Sequence, residues 1–101
     1  MERQIAHLKD HFIVCGFGRM GRIVCKELAA KPVPFVVVEH HAEARRYAEE
    51  AQYLCVEGDA TEDTVLQHAG IKSARGLVAA LSTDSENVYV VLSARELTRT
   101  C

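Results

Sequence analysis

The sequence predicts an α/β fold, in which helices cover both faces of a parallel β-sheet. Short apolar segments alternate with amphipathic helical segments along the whole chain, and no hairpin turn joins two apolar segments. The apolar segments are nearly continuous, as expected for strands that are buried on both faces of a sheet. With 101 residues, of which 49% are apolar and 26% charged, the chain has the size and composition of one globular domain.

The first strand and the first helix follow a polar segment. Residues 1–10 are polar with scattered apolar positions, and we interpret them as a lead-in or linker. Residues 11–15 (HFIVC) form an apolar strand that ends at Gly16. A helix begins at Arg19 and ends at the prolines at positions 32 and 34. Its apolar residues recur with helical spacing and predict one buried face, formed by Met20, Ile23, Val24 and Leu28.

Three further strands, each followed by a helix, complete the pattern. Residues 35–38 and 53–56 are apolar strands, and helices are predicted over 42–51 and 61–69. The fourth strand spans 77–81, and the helix after it begins with a T-x-x-E capping box and runs to about position 98. With right-handed crossovers, the resulting β-α-β-α-β-α-β-α chain has the strand order 3-2-1-4.

The net charge and the cysteine spacing argue against several classes of protein. A net charge of −2 argues against a general nucleic-acid binder. Residues 1–38 contain six basic and three acidic residues, whereas residues 39–63 contain two basic and eight acidic ones. The cysteines form no C-x-x-C pair, so we expect buried, reduced thiols rather than a disulfide framework or a zinc site. They are Cys15, Cys25, Cys55 and Cys101.

A glycine-rich segment separates the first strand from the first helix. Residues 16–21 (GFGRMG) form a G-x-G-x-x-G motif in the strand–turn–helix context of a dinucleotide-binding, Rossmann-like domain. Gly16 allows the tight turn, Gly18 lets a pyrophosphate approach the backbone, and Gly21 lets the helix pack closely on the strand. The helix N-terminus then presents free N–H groups to phosphate. Positive charge nearby comes from Arg19, Arg22 and Lys26.

Glu39 ends the second strand, 21 residues after Gly18. A carboxylate at this position accepts hydrogen bonds from the hydroxyls of an adenosine ribose and repels a 2′-phosphate. The sequence therefore favours NAD(H) or an adenine nucleotide over NADP(H). Some tolerance of NADP(H) is supported by the basic side chains that follow, His40, His41, Arg45 and Arg46. The alternative interpretation is a glycine turn and a surface glutamate in a generic α/β domain.

Other candidate residues have weaker signals. Asp59, in the segment GDAT, either faces the adenine or caps the third helix. His40 and His41 are interpreted as a solvated loop, so no metal site is predicted. Ser82 and Thr83 follow the fourth strand and lie beside the expected ligand crevice. No spacing indicates a Ser-His-Asp or Cys-His arrangement, so no catalytic residue is predicted.

Several segments together resemble one family, the RCK domains, which regulate potassium conductance and are also known as KTN or TrkA-N domains. These segments are HFIVCGFGRMG, VVVE, GDAT, AGI and LVAALSTDSENVYVVLSAREL, and the similarity covers residues 11–99. The resemblance implies that residues 11–101 form the N-terminal lobe of such a domain, which is not an enzyme. It also implies a cytosolic regulatory module at the cytoplasmic face of the membrane, attached through residues 1–10 to the pore of a potassium channel or transporter.

The same resemblance implies a site for NAD(H), AMP, ADP or ATP. Carried over to this chain, the phosphate loop comprises Gly16, Phe17, Gly18, Arg19, Met20 and Gly21. The ribose is assigned to Glu39 with its neighbour His40, the adenine to Asp59 and Ala60, and the far end of the crevice to Leu81, Ser82 and Thr83. Calcium-gated relatives carry an acidic residue near the end of the fourth strand, where this chain has Ala80, so calcium is not expected there.

The family lobe continues through two more strands, whereas this chain ends after the fourth helix and resembles a truncated lobe. The fourth strand is then an open edge, and the helix after it is apolar nearly all round from Val88 to Leu92. We therefore expect a homodimer or a higher oligomer built on this helix and this edge, and the resemblance implies that such domains form dimers and then rings. Two alternative functions are the cofactor-binding half of an NAD-dependent oxidoreductase, which would need a substrate domain, and a structural gating element that binds no nucleotide.

Overall fold

A computed structural model of the chain describes residues 2–99 and contains the four predicted strand–helix pairs. The strands are β1 (Phe12–Cys15), β2 (Phe35–Glu39), β3 (Cys55–Glu57) and β4 (Gly76–Ala79). The helices are α1 (Glu2–Ala6), α2 (Arg19–Ala30), α3 (Ala42–Glu50), α4 (Asp63–His68) and α5 (Asp84–Thr98), with a 3-10 turn at Ile71–Ser73. None of the helices within residues 2–99 is both long and apolar enough to cross a bilayer.

The strands form one parallel sheet in the order β3-β2-β1-β4, which confirms the predicted fold class and strand order. Strand β1 is central, because Val14 pairs with Val37 of β2 and with Val78 of β4. The carboxyl ends of these three strands therefore lie at one end of the sheet. In doubly wound folds this end, where the strand order reverses, is where ligands bind.

Alternate residues of the strands fill two cores, one on each face of the sheet. Ile13 of β1 packs with Leu66 of α4 and Val90 of α5, whereas the next residue, Val14, packs with Cys25 of α2. All five side chains are fully buried. The alternation follows from the strand period of two residues, and it confirms burial on both faces for the two inner strands, β1 and β2.

Cys15, Cys25 and Cys55 are buried and free, as expected. Burial raises the pKa of the Cys15 and Cys25 thiols to about 12 and that of Cys55 to about 11. The three thiols therefore stay protonated at neutral pH and pack as small apolar side chains. The predicted burial of Cys101 concerns a position outside the described residues.

Residues 1–10 contain a helix that the sequence analysis missed. Residues Glu2–Ala6 form α1, and Ile5 is only 6% exposed because it packs into the same core as Leu66. The end of the segment is fixed as well, since the Asp10 N–H donates to the Ser73 carbonyl at 2.8 Å. A weak signal was present in the sequence, where Ile5 and Leu8 are spaced as on one helix face. That this segment links the domain to a pore stays a prediction.

Of the four residues predicted to form the buried face of α2, two are exposed. Val24 and Leu28 pack against the core, but Met20 is 59% and Ile23 54% exposed. The residues of α2 that are fully buried are Gly21 and Cys25. The cause is Gly21, where a Cβ would collide with the carbonyl oxygen of Gly16. The helix therefore packs against the end of β1 through Gly21, as the motif requires. In this orientation the side chains of Met20 and Ile23 point toward solvent.

The β4 edge of the sheet is covered less completely than its centre. Residues Gly76–Ala79 are all only partly buried, and α5 exposes Val88, Tyr89 and Leu92 by 59%, 53% and 61%. The apolar surface expected on this helix is therefore present. The oligomer expected to form on it stays a prediction.

Candidate functional site

A cavity of about 940 Å³ lies at the carboxyl end of the sheet, between the glycine loop, the end of β2 and the loop after β4. Predicted site residues that line it are Gly16, Gly18, Arg19, Met20, Glu39, His40, Asp59, Leu81, Ser82 and Thr83. Residues that the sequence analysis did not assign to the ligand site also line it, namely His41, Ala42, Glu43, Ala44, Ala80 and Glu86. The fold thus brings together residues that are more than 60 positions apart in the chain.

Three predicted site residues do not reach the cavity surface. Phe17 is 3% exposed and packs edge-to-face against Tyr53, with ring centroids 6.0 Å apart. Gly21 is buried against Gly16, and Ala60 is 2% exposed in the core. Phe17 and Gly21 pack beneath the glycine loop and Ala60 lies in the core on the other face of the sheet, so none of the three lines the cavity.

The glycine loop has the geometry that its motif requires. Gly16 has a φ of +102°, in the left-handed region, and a Cβ there would collide with the Ala80 carbonyl oxygen. Gly18 is different, because a Cβ would meet no atom within 4 Å. The protein's own packing does not require glycine at this position. The open space in front of Gly18 is therefore available to a ligand group that approaches the backbone.

The N-terminus of α2 adjoins this open space. Gly18 is its N-cap and provides no side-chain hydrogen bond to the first turn. The first N–H groups of a helix have no partner within the helix, and together they carry the positive end of its dipole. Arg19 lines the cavity from the same turn. This end of the cavity is suited to an anionic group such as a phosphate.

Glu39 is fixed by a dense set of hydrogen bonds. Its Oε1 accepts from the Phe17 N–H at 2.7 Å, and its Oε2 accepts from the N–H groups of His40 at 3.1 Å and His41 at 2.9 Å. The His41 Nδ1 also donates to Oε2 at 2.9 Å. Burial would raise the pKa of Glu39, but the hydrogen bonds from His41 and Phe17 outweigh burial and hold that pKa below its usual range. The carboxylate is therefore ionised, and Oε1 keeps a lone pair free for a hydroxyl donor.

Asp59 does not cap the third predicted helix. Its Oδ1 accepts from the Thr61 N–H at 2.9 Å and from the Thr61 hydroxyl at 2.7 Å, while the N-cap of α4 is Glu62. The two hydrogen bonds from Thr61 hold the pKa of Asp59 below its usual range. Asp59 thus fixes the turn after β3 and is one of the residues that line the cavity.

The loop after β4 is held from the first turns of α5. Thr83 caps α5 as predicted, because its hydroxyl accepts from the Glu86 N–H at 3.2 Å, and Glu86 Oε1 accepts from the same hydroxyl at 3.1 Å rather than from the Thr83 N–H of a full capping box. Asn87 was not predicted to have a role. Its Oδ1 accepts from the Leu81 N–H at 2.7 Å, and its Nδ2 donates to the Leu81 carbonyl at 3.3 Å. These bonds fix the backbone that forms the far wall of the cavity, and a side-chain amide on α5 was the only signal for them in the sequence.

The charges around the cavity are uneven. Among its lining residues Arg19 is basic, whereas the acidic ones are Glu39, Glu43, Asp59 and Glu86. Arg22 does not line the cavity, because its guanidinium lies 4.4 Å from the centroid of the Tyr47 ring. An anionic ligand group would therefore depend on Arg19 and on backbone N–H groups. The remainder of the cavity favours hydroxyls, amines and cations.

Comparison with known proteins identifies the family. A family model, the TrkA-N domain, matches residues 12–101. Potassium channel protein 1 of Methanocaldococcus jannaschii is 36% identical over 99 residues, which are 96% of this chain and 30% of that protein. The Trk system potassium uptake protein TrkA homolog of Pyrococcus abyssi is 33% identical over 88 residues, 86% of this chain and 39% of that protein. The chain thus spans well under half the length of these relatives.

Solved structures of similar fold support the same family assignment. The TrkA-N domain of inner membrane protein ybaL from Escherichia coli is 27% identical, with a TM-score of 0.83 over 89% of this chain and 67% of that one. The GsuK channel bound to NAD is also 27% identical, with a TM-score of 0.79 over 90% of this chain and 17% of that one. The Kef C-terminal domain of Shewanella denitrificans in its AMP-bound form is 26% identical, with a TM-score of 0.74 over 85% of this chain and 51% of that one. This chain belongs to the TrkA-N domain family, as its motifs predicted.

Proposed function

We propose that this domain is the cytoplasmic regulatory module of a potassium channel or potassium transport system, and that it binds NAD(H) or an adenine nucleotide in the cavity at the carboxyl end of the sheet. The observation that carries this proposal is the arrangement around the cavity. An uncapped helix N-terminus behind Gly18 faces the same space as the ionised, fixed carboxylate of Glu39.

The arrangement provides one group for each part of the ligand. The backbone around Gly18 and the side chain of Arg19 receive phosphate. The free lone pair of Glu39 Oε1 accepts from a ribose hydroxyl, and Asp59 lies by the adenine. A 2′-phosphate would be placed against the Glu39 carboxylate, which disfavours NADP(H). Leu81, Ser82 and Thr83 line the far end.

The family relationship supports a role in regulating potassium transport. Relatives of this chain carry the names of potassium channel and potassium uptake proteins, and similar domains have been solved with NAD and with AMP. Regulation then requires that the nucleotide bind two shapes of the assembled domain with different affinities, because equal binding shifts no equilibrium. A ring of domains attached to a pore would transmit that difference to ion conductance.

A thermal-unfolding titration tests the proposal. The chain is heated with NAD⁺, NADH, NADP⁺, AMP, ADP, ATP or Ca²⁺ in separate series. A ligand at about 100 times its Kd stabilises the fold by about 2.7 kcal/mol, which is several degrees for a domain of this size. We expect a shift with NAD(H) or an adenine nucleotide, a smaller one with NADP⁺ and none with Ca²⁺. The absence of a shift with every nucleotide would contradict the proposed ligand and favour a structural gating element.

A further inference from the structure

We propose that Glu39, His40 and His41 form a binding site for a divalent transition-metal ion, with Zn²⁺ as the reference ion. One ligand atom from each residue lies within 4.8 Å of the others. The proposal goes beyond nucleotide binding, because the three side chains can hold an ion when no nucleotide is bound. It also revises the interpretation of the two histidines as a solvated loop.

The cluster forms because the chain turns from β2 directly into α3. Glu39 is the last residue of β2, and His41 is the N-cap of α3. The turn brings three consecutive side chains to one side of the backbone, which a continuing strand would not do. The Glu39 carboxylate fixes the turn by accepting the N–H groups of both histidines. The two imidazole rings then stack, with centroids 4.1 Å apart and planes tilted by 34°.

The donor set fits a divalent ion of borderline softness. Imidazole nitrogen and carboxylate oxygen are ligands of Zn²⁺ at about 2.0–2.2 Å, which places neighbouring ligand atoms of a tetrahedral site about 3.4 Å apart. Glu39 is 7% exposed and held in place, whereas His40 and His41 are exposed and able to rotate toward an ion. His41 Nδ1 and Glu39 Oε2 already lie 2.9 Å apart. A Zn²⁺ ion bound here would replace the Nδ1 proton of His41, and the two atoms would separate by about 0.5 Å to reach the tetrahedral spacing.

The surrounding charge favours a cation. Glu43, Asp59 and Glu86 line the same cavity, against one basic lining residue, Arg19, which lies at the glycine loop. Arg45 does not line the cavity and pairs with Glu57 at 3.5 Å. A cavity with an excess of carboxylates raises the local concentration of divalent ions. The acidic surroundings and the imidazole–carboxylate cluster are separate observations that point to the same class of ligand.

Calorimetric titration of the full chain with Zn²⁺, in the absence of nucleotide, tests the site. All proteins carry Cys101→Ser, which removes the thiol that lies outside the described residues. We expect one ion per chain, and a loss of affinity of at least about tenfold in His40→Ala and in His41→Ala. The matched control is His68→Ala, an exposed histidine on α4 that lies away from the cavity, and it should bind Zn²⁺ as the parent does.

Titration with Co²⁺ supplies a second readout. Ligation by imidazole and carboxylate gives weak visible bands, whereas thiolate ligation adds intense sulfur-to-cobalt charge-transfer absorption. The proposal is contradicted by undiminished affinity in the double variant His40→Ala/His41→Ala, by thiolate absorption, or by no binding to the parent chain. Nucleotide titrations with EDTA present report on the proposed function separately, so either proposal can fail while the other stands.

Discussion

The cavity and the β4–α5 edge lie side by side on one sheet, yet they differ in how far a single chain completes them. At the cavity, the carboxylate of Glu39 accepts four hydrogen bonds and the wall at Leu81 is held by Asn87. At the edge, β4 is only partly buried and α5 exposes three large apolar side chains. The groups that fix the cavity walls have their partners within the chain, while the first N–H groups of α2 stay open to a ligand. The edge instead presents apolar surface that favours association. A single chain therefore supplies the walls of the proposed ligand site, whereas the proposed assembly would need a second copy to cover the edge.

The largest expected effect on the free energy of unfolding is at Glu39, because this one side chain holds several backbone groups of the cavity wall. Glu39→Ala leaves the N–H groups of Phe17, His40 and His41 without their acceptor, and we expect a loss of about 3 kcal/mol in the free energy of unfolding. Urea denaturation measures it. The control is Glu43→Ala, an exposed carboxylate on the same cavity that should cost about 0.5 kcal/mol. Equal losses in the two variants would mean that the Glu39 network does not stabilise the fold.

Substitution of Asn87 is expected to lower the free energy of unfolding less than substitution of Glu39. Asn87→Ala removes both hydrogen bonds to the Leu81 backbone, so we expect a loss of about 1–2 kcal/mol in the free energy of unfolding and weaker nucleotide binding. Asn87→Asp keeps the acceptor for the Leu81 N–H and should recover part of both. An Asn87→Ala protein with the stability and the nucleotide affinity of the parent would show that the wall of the cavity does not need this clamp.

The smallest effect on stability, and the largest on assembly, is expected at the β4–α5 edge. Leu92 is 61% exposed, so Leu92→Glu should change the free energy of unfolding by less than about 0.5 kcal/mol. The same charge in an apolar contact should weaken self-association strongly. Sedimentation equilibrium at micromolar concentration measures this, with Thr64→Glu on α4 as the charge-matched control. A parent chain that stays monomeric at this concentration would contradict self-association through the β4–α5 edge.

The parts of the fold that depend on local pattern could be predicted from the sequence. The turn at Gly16, the cap at Thr83 and the position of Glu39 follow from short segments with defined spacing, and the strand order follows from the alternation of strands and helices with right-handed crossovers. The ten cavity-lining residues that were predicted come from such segments, or from a resemblance carried by them. Short motifs suffice because the glycines and the cap act through backbone geometry, which neighbouring residues determine.

The remaining features depend on contacts between distant segments, and local patterns do not determine them. Met20 and Ile23 are exposed because Gly21, rather than the apolar stripe, sets how α2 approaches the strand. The burial of Ile5 requires a core that the rest of the chain supplies. The clamp from Asn87 to Leu81 and the contact of His41 with Glu39 are different, because they join residues only six and two positions apart and depend on the side-chain directions in an irregular turn. Such contacts have no periodicity that a sequence pattern can show.

The most direct measurement is calorimetric titration of Gly18→Asp with the nucleotide that stabilises the parent chain. The space at position 18 is open and Asp is a favoured N-cap residue, so the variant should fold as well as the parent. Its carboxylate would occupy the place proposed for phosphate, and we expect affinity to fall at least about a hundredfold, close to 2.7 kcal/mol. Ile23→Asp, which adds the same charge to an exposed position of α2, should bind as the parent does. Unchanged affinity in Gly18→Asp would place the nucleotide elsewhere and contradict the proposed site.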